Sequence, residues 1–126
     1  MSAPNSKILV IDDDDVARAV VEATLTSAGF ESHGIASPIG ATRAVREFSI
    51  DAVVCDLNMP AMRGDALVRL FRQSKSLRSV PVVLISGAPR EELEALVSEG
   101  VVDEVVHKSD LGVLLVQQLR RVLSRR

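Results

Sequence analysis

Residues 7–15 read Lys-Ile-Leu-Val-Ile-Asp-Asp-Asp-Asp, a β-branched apolar run that stops abruptly on four carboxylates. Ile8 to Ile11 carry no polar interruption, so they predict a strand buried on both faces, the kind found in parallel sheets. Beyond the acids, Ala17, Val21, Leu25 and Ala28 recur at helical spacing until Gly29 ends the segment. A buried strand, an acidic turn and a helix form one unit of an α/β fold.

The same alternation runs outward through the chain five times. Glu31 to Ile35 predicts a second strand, diluted by His33 and Gly34 and suited to a sheet edge. Ser37 is a candidate cap, with Pro38 at the first helical position, for a helix whose stripe is Ala41, Ala44, Val45 and Phe48. Ala52 to Cys55 predicts a third strand, followed by a loop with Pro60 and Gly64 and a helix carrying Leu67, Leu70 and Phe71. Val82 to Ile85 predicts a fourth, followed by a loop and a short helix with Leu93, Leu96 and Val97 that Gly100 ends. A last strand near Val105 and Val106 leads to a helix from about Asp110 to Leu123, with Leu111, Leu115, Leu119 and Val122 inward. Right-handed crossovers between five parallel strands lead to a flavodoxin-like (βα)5 sandwich, strand order 2-1-3-4-5, with helices on both faces.

Composition narrows the function. The chain has 126 residues, 47% hydrophobic and 25% charged, with a formal net charge of −2, which fits one globular domain. The predicted organisation is a short tail (1–6), a domain (7–124) and a C-terminal end (125–126). Three Phe and no Trp or Tyr leave the core aliphatic and supply no aromatic platform for stacking bases. The near-neutral charge offers no field for nucleic acid, although Arg120, Arg121, Arg125 and Arg126 are locally basic and suit a helix C-terminus. No apolar run approaches the length of a membrane helix, and MSAPNSK lacks a signal peptide's hydrophobic region, so neither membrane nor direct nucleic-acid contact is expected and the cytoplasm is the expected location. Cys55 is expected in the core, and His33 and His107 at the surface or at strand ends.

In such a sheet ligands gather at the carboxyl ends of the strands. There stand Asp12 and Asp13 after strand one, Asp56 after strand three, Ser86 after strand four and Lys108 after strand five. Clustered carboxylates repel one another unless a cation or the lysine compensates, and Mg²⁺, a hard ion with oxygen ligands, fits. For phosphoryl transfer Asp56 would be the nucleophile. Asp13 and Asp56 would ligate Mg²⁺ directly, Asp12 through water, and the backbone carbonyl of Asn58 would complete the set. Ser86 would donate to a phosphoryl oxygen, and Lys108 would pair with Asp56 at rest and with the phosphoryl group afterwards. Asp14 and Asp15 equally suit a helix start.

The strings KILVIDDDD, VVCDLNMP, VVLISGA and VVHKSD resemble, in order and spacing, the receiver domains of two-component response regulators. The resemblance covers nearly the whole chain. It implies Asp12 and Asp13 as an acidic pair, Asp56 as phospho-acceptor, Ser86 as switch hydroxyl and Lys108 as signalling lysine. It also implies a histidine kinase or histidine phosphotransfer protein as donor, and a downstream protein or an effector domain as target. Enzymatic activity would be confined to the domain's own phosphorylation and dephosphorylation.

Two positions depart from the family pattern. Ser109 replaces the proline that usually follows the lysine through a cis bond; a cis bond before a non-proline residue costs about 2.5–4 kcal/mol, so a trans Lys108–Ser109 bond is expected. Val105 stands where the family commonly carries a Tyr or Phe that changes rotamer. Two other readings compete. A phosphatase resembling the haloacid dehalogenases would use Asp12 as nucleophile and Asp14 as acid/base, but only Asp110 follows the lysine and a cap has little room. A degenerate receiver would only bind partners.

Overall fold

The computed structural model describes residues 5–125. The first four residues of the expected tail, and Arg126, lie outside the described residues. Five strands, β1 (Lys7–Ile11), β2 (Glu31–Ile35), β3 (Ala52–Asp56), β4 (Val82–Ser86) and β5 (Glu104–His107), alternate with α1 (Asp15–Ser27), α2 (Ala41–Glu47), α3 (Gly64–Arg72), α4 (Arg90–Ser98) and α5 (Leu111–Ser124). The sheet is parallel throughout, in the order β2-β1-β3-β4-β5. This is the expected flavodoxin-like topology, with the polar β2 at an edge.

Side-chain alternation sends each strand's apolar residues to two cores. Leu9, Ile11, Val53, Cys55, Val82 and Leu84 pack with Ala44, Val45, Leu67, Phe71, Leu93 and Leu96, so α2, α3 and α4 cover one face. Ile8, Val10, Val54, Val83, Ile85 and Val106 pack with Val21, Leu25, Leu115, Leu119 and Val122 of α1 and α5 on the other. Burial on both faces is why β1, β3 and β4 read as unbroken hydrophobic runs rather than as alternating ones.

Glycines close two helices as expected. Gly29 (φ 92°) and Gly100 (φ 74°) take the left-handed conformation that glycine adopts without steric cost. After them Phe30 N–H returns to Leu25 C=O, and Val101 N–H to Leu96 C=O.

Three local expectations are corrected. α2 starts at Ala41 after Gly40 (φ 90°), not at Pro38 behind a Ser37 cap; the Ser37 hydroxyl accepts from Ile39 N–H in a separate turn. That turn satisfies the serine before the helix begins, and only Gly40 can make the left-handed step into Ala41. Phe48 caps α2 and stacks on His33 of the edge strand, ring centroids 4.6 Å apart, instead of entering the core. Leu70 and Val97 also lie at the surface of their helices, because Leu67 with Phe71 and Leu93 with Leu96 already fill the stripe against the sheet.

Candidate functional site

Strand register assembles the site. Ile11 pairs with Cys55, so Asp12 follows β1 beside Asp56 at the end of β3. Asp56 pairs with Ile85 and Ser86 with His107, which brings the β4 hydroxyl and Lys108 to the same end of the sheet. Every residue expected at the site is therefore at one edge of the fold.

Asp12 and Asp56 are buried, at 5% and 7% exposure, whereas Asp13 is exposed. Carboxylate oxygens of Asp12, Asp13 and Asp56 lie within 4.8 Å of one another. Burial pushes the Asp56 carboxyl above its ordinary value; Lys108 opposes the rise, Asp12 reinforces it, the Asn58 backbone N–H opposes it and Asp13 adds a smaller push upward. Lys108 Nζ stands 3.9 Å from Asp56 Oδ1, a loose ion pair whose lysine is half-exposed. The donor set is all oxygen and electron-rich, as a hard divalent cation requires, and such an ion would offset the mutual repulsion of the three carboxylates.

The four-aspartate run divides its tasks. Asp12 Oδ1 accepts from Asp14 N–H at 2.9 Å, which turns the chain out of β1. Asp14 then caps α1 by accepting from Val16 N–H and Ala17 N–H, while Asp15 pairs with Arg18 at 2.7 Å. Asp14 is thus committed to the helix, and the phosphatase reading loses its acid/base. Arg18 also donates to Asp12 C=O at 2.9 Å, steadying the acidic turn.

The loop after β3 is held just as closely. Gly64 N–H donates to Leu57 C=O, and a Cβ at Gly64 would stand 2.7 Å from Asp56 C=O. Glycine there lets α3 begin against the backbone of Asp56. Ser86 Oγ accepts from Ala88 N–H at 3.0 Å and from Asn58 Nδ2 at 3.4 Å. The sequence led to the Asn58 backbone carbonyl; the hydrogen bonds to Ser86 and Arg63 involve its side chain. Arg63 donates to Asn58 Oδ1 at 3.3 Å. Nothing in the sequence marked Arg63, since an arginine in a Gly-Pro loop carries no periodic signal.

Beyond β5, no peptide bond among the described residues is cis, so Lys108–Ser109 is trans as expected. Lys108–Asp110 form a 3₁₀ turn, in which Ser109 N–H donates to His107 Nδ1 at 3.1 Å and Arg90 pairs with Asp110 at 3.0 Å. Cys55 is buried in the core as expected, and burial together with the charges of Asp56 and Asp12 pushes its thiol up. Arg121 and Arg125 reach Glu104 on β5 at 3.5 and 3.2 Å, so they brace the last strand as well as ending α5.

The family model described as the response regulator receiver domain matches residues 8–119, nearly the whole chain. This protein belongs to that family. The receiver is 31% identical over 123 residues to chemotaxis protein CheY-3 of Vibrio cholerae, covering 96% of this chain and 94% of that one. It is 30% identical to transcriptional regulatory protein AfsQ1 of Streptomyces coelicolor over 94% of its own length, and spans 51% of that protein. The crystal structure of a sensor protein from Polaromonas sp. JS666 superposes with a TM-score of 0.88 at 27% identity, covering 97% of this chain and 98% of that one.

The chain is accordingly a receiver domain of two-component signalling. Receivers of this family use Mg²⁺ at an acidic pocket and interact with histidine kinases and downstream effectors. Among the described residues no helix is long and apolar enough to cross a membrane.

Proposed function

We propose that Asp56 accepts a phosphoryl group from a histidine kinase or histidine phosphotransfer protein, and that the modified receiver regulates contacts with a downstream protein or effector domain. The observation that carries this reading is a buried carboxyl with an upward-shifted pKa, flanked by Asp12 and Asp13 and facing Lys108. Transfer replaces the single charge of the Asp56 carboxylate by a phosphoryl group of about −1.5 to −2, so the site must supply positive charge, from Lys108 at 3.9 Å and from a cation on the carboxylate cluster.

In the transfer, a carboxylate oxygen of Asp56 attacks phosphorus while the bond from phosphorus to the donor imidazole nitrogen breaks, its electron pair staying on the ring. Asp12, Asp13, Asp56 and the Asn58 backbone carbonyl would hold Mg²⁺, whose charge would offset that of the phosphoryl oxygens. Lys108, close to Asp56 at rest, would turn to the transferred group. At rest Ser86 Oγ accepts from Ala88 N–H and Asn58 Nδ2; on turning to the phosphoryl group it would donate its hydroxyl proton to a phosphoryl oxygen. Catalysis is limited to the receiver's own phosphorylation and dephosphorylation. The functional unit is residues 7–124, and the reading places it in the cytoplasm, where reducing conditions suit a single free cysteine.

Acetyl phosphate or beryllofluoride with Mg²⁺, followed by intact mass or NMR, tests the assignment in the wild type, Asp56→Asn and Asp12→Asn. Modification of the wild type that Asp56→Asn abolishes is expected. Modification that survives Asp56→Asn yet disappears in Asp12→Asn would overturn it, and an unmodified wild type would favour a receiver that only binds partners.

A further inference from the structure

Val105 leaves the face between α4 and α5 without a Tyr or Phe ring; a groove of about 170 Å³, lined by Leu93, Val105, His107 and Leu114 among others, lies there. A polar chain runs from the site to α4 by another way. Asn58 Nδ2 donates to Ser86 Oγ at 3.4 Å, and Arg63 Nη1 donates to Asn58 Oδ1 at 3.3 Å. Arg63 Nη2 lies 3.7 Å from Glu92 in the first turn of α4, while Arg63 Nε is anchored on Asp65 at 3.1 Å. The orientation of the Asn58 amide is dictated by chemistry: arginine only donates, so Oδ1 must face it and Nδ2 must face Ser86.

We propose that Arg63 is a positioning residue that carries the state of Ser86 to α4 through Asn58 and Glu92. The inference rests on Asp56 being the phospho-acceptor. When Ser86 turns to donate to a phosphoryl oxygen, it gives up its place as acceptor for Asn58 Nδ2, and the amide is free to rotate. Rotation withdraws Oδ1 from Arg63. The guanidinium stays near, because Asp65 holds it: burial alone would raise the Asp65 carboxyl, but the hydrogen bond from Arg69 and the charge and hydrogen bond of Arg63 outweigh it and keep the group ionised below the usual range. What changes is the share of Arg63 given to Glu92, and with it the position of the first turn of α4. The links from Ser86 to Glu92 are long, and those made by Arg63 are exposed, so each is weak and easily exchanged. A relay needs contacts with two alternative arrangements, and strong ones would hold a single state.

Amide NMR with and without beryllofluoride and Mg²⁺ tests the relay in the wild type, Arg63→Ala, Arg63→Lys and Glu92→Gln. In the wild type, shifts are expected at Asp56–Asn58 and Ser86, at the Arg63 Nε–H and at Glu91–Leu93. Arg63→Ala and Glu92→Gln should keep the site shifts while those of α4 fall to less than half, and Arg63→Lys should restore part of them. Full α4 shifts in Arg63→Ala would overturn the relay while leaving the acceptor assignment intact. Absence of site shifts in the wild type would overturn the acceptor assignment itself, and the relay with it.

Discussion

Asp56 and Lys108 stand 3.9 Å apart, yet the strands that deliver them are unlike. Every residue of β3 (Ala52–Asp56) is buried, whereas β5 (Glu104–His107) buries only Val106. Around Asp56 the chain is held by close backbone approach, with α3 beginning against its carbonyl. Around Lys108 it is held by partly exposed polar contacts: Ser109 to His107, Arg90 to Asp110, and Arg121 and Arg125 to Glu104. This receiver therefore fixes Asp56 by packing and holds the Lys108 side by contacts that exchange at low cost.

The largest test of that contrast is chemical. Asp56→Asn should lower phosphoryl incorporation by about 100-fold or more, read by intact mass, because an amide is no substitute nucleophile. Retained incorporation would move the chemistry elsewhere and dissolve the comparison.

Adding one methyl group to each side comes next. A Cβ at Gly64 meets the Asp56 carbonyl and Leu84, while one at Gly112 in the first turn of α5 meets nothing within 4 Å. Gly64→Ala should cost about 1–3 kcal/mol in denaturant unfolding, and Gly112→Ala should be neutral or stabilising by up to about 1 kcal/mol. Equal effects would mean that the two sides are packed alike.

The third test uses pH. The Asp56 carboxyl is raised in the fold, so its contribution to stability is full below the ordinary carboxylate value and is lost as pH rises through the raised one. Asp56→Asn removes that loss. The variant should therefore melt at a higher temperature than the wild type at about pH 7, with the gap closing near about pH 3. A gap that grows on acidification would contradict the sign of the shift. The smallest effect belongs to the Lys108 side, where Ser109→Ala should change unfolding free energy by only about 0.5 kcal/mol and leave the extent of phosphorylation unchanged.

Much of this was legible in the chain. Asp12, Asp56, Ser86 and Lys108 each follow an apolar β-branched run, and such runs in an alternating α/β pattern must end at one edge of a parallel sheet. Less legible were positions whose role depends on what already occupies the space. Leu70 and Val97 have core chemistry but surface positions, and Gly64 looks like a loop former until α3 is placed against Asp56. Arg63 has no pattern of its own, since its partners Asn58, Asp65 and Glu92 come from three different segments.

The amino-acid sequence alone determined the order of elements, the topology and the residue types that meet at the strand ends, because burial of both sheet faces and right-handed crossovers leave few alternatives. Only the tertiary structure decided how the four aspartates divide between the carboxylate cluster at Asp56 and a helix start. Their chemistry is identical, and what separates them is the direction in which the chain turns after Asp12 accepts the Asp14 N–H. It also decided how near Lys108 comes to Asp56, since that distance depends on the register of β3, β4 and β5 and on the turn that Ser109 makes with His107.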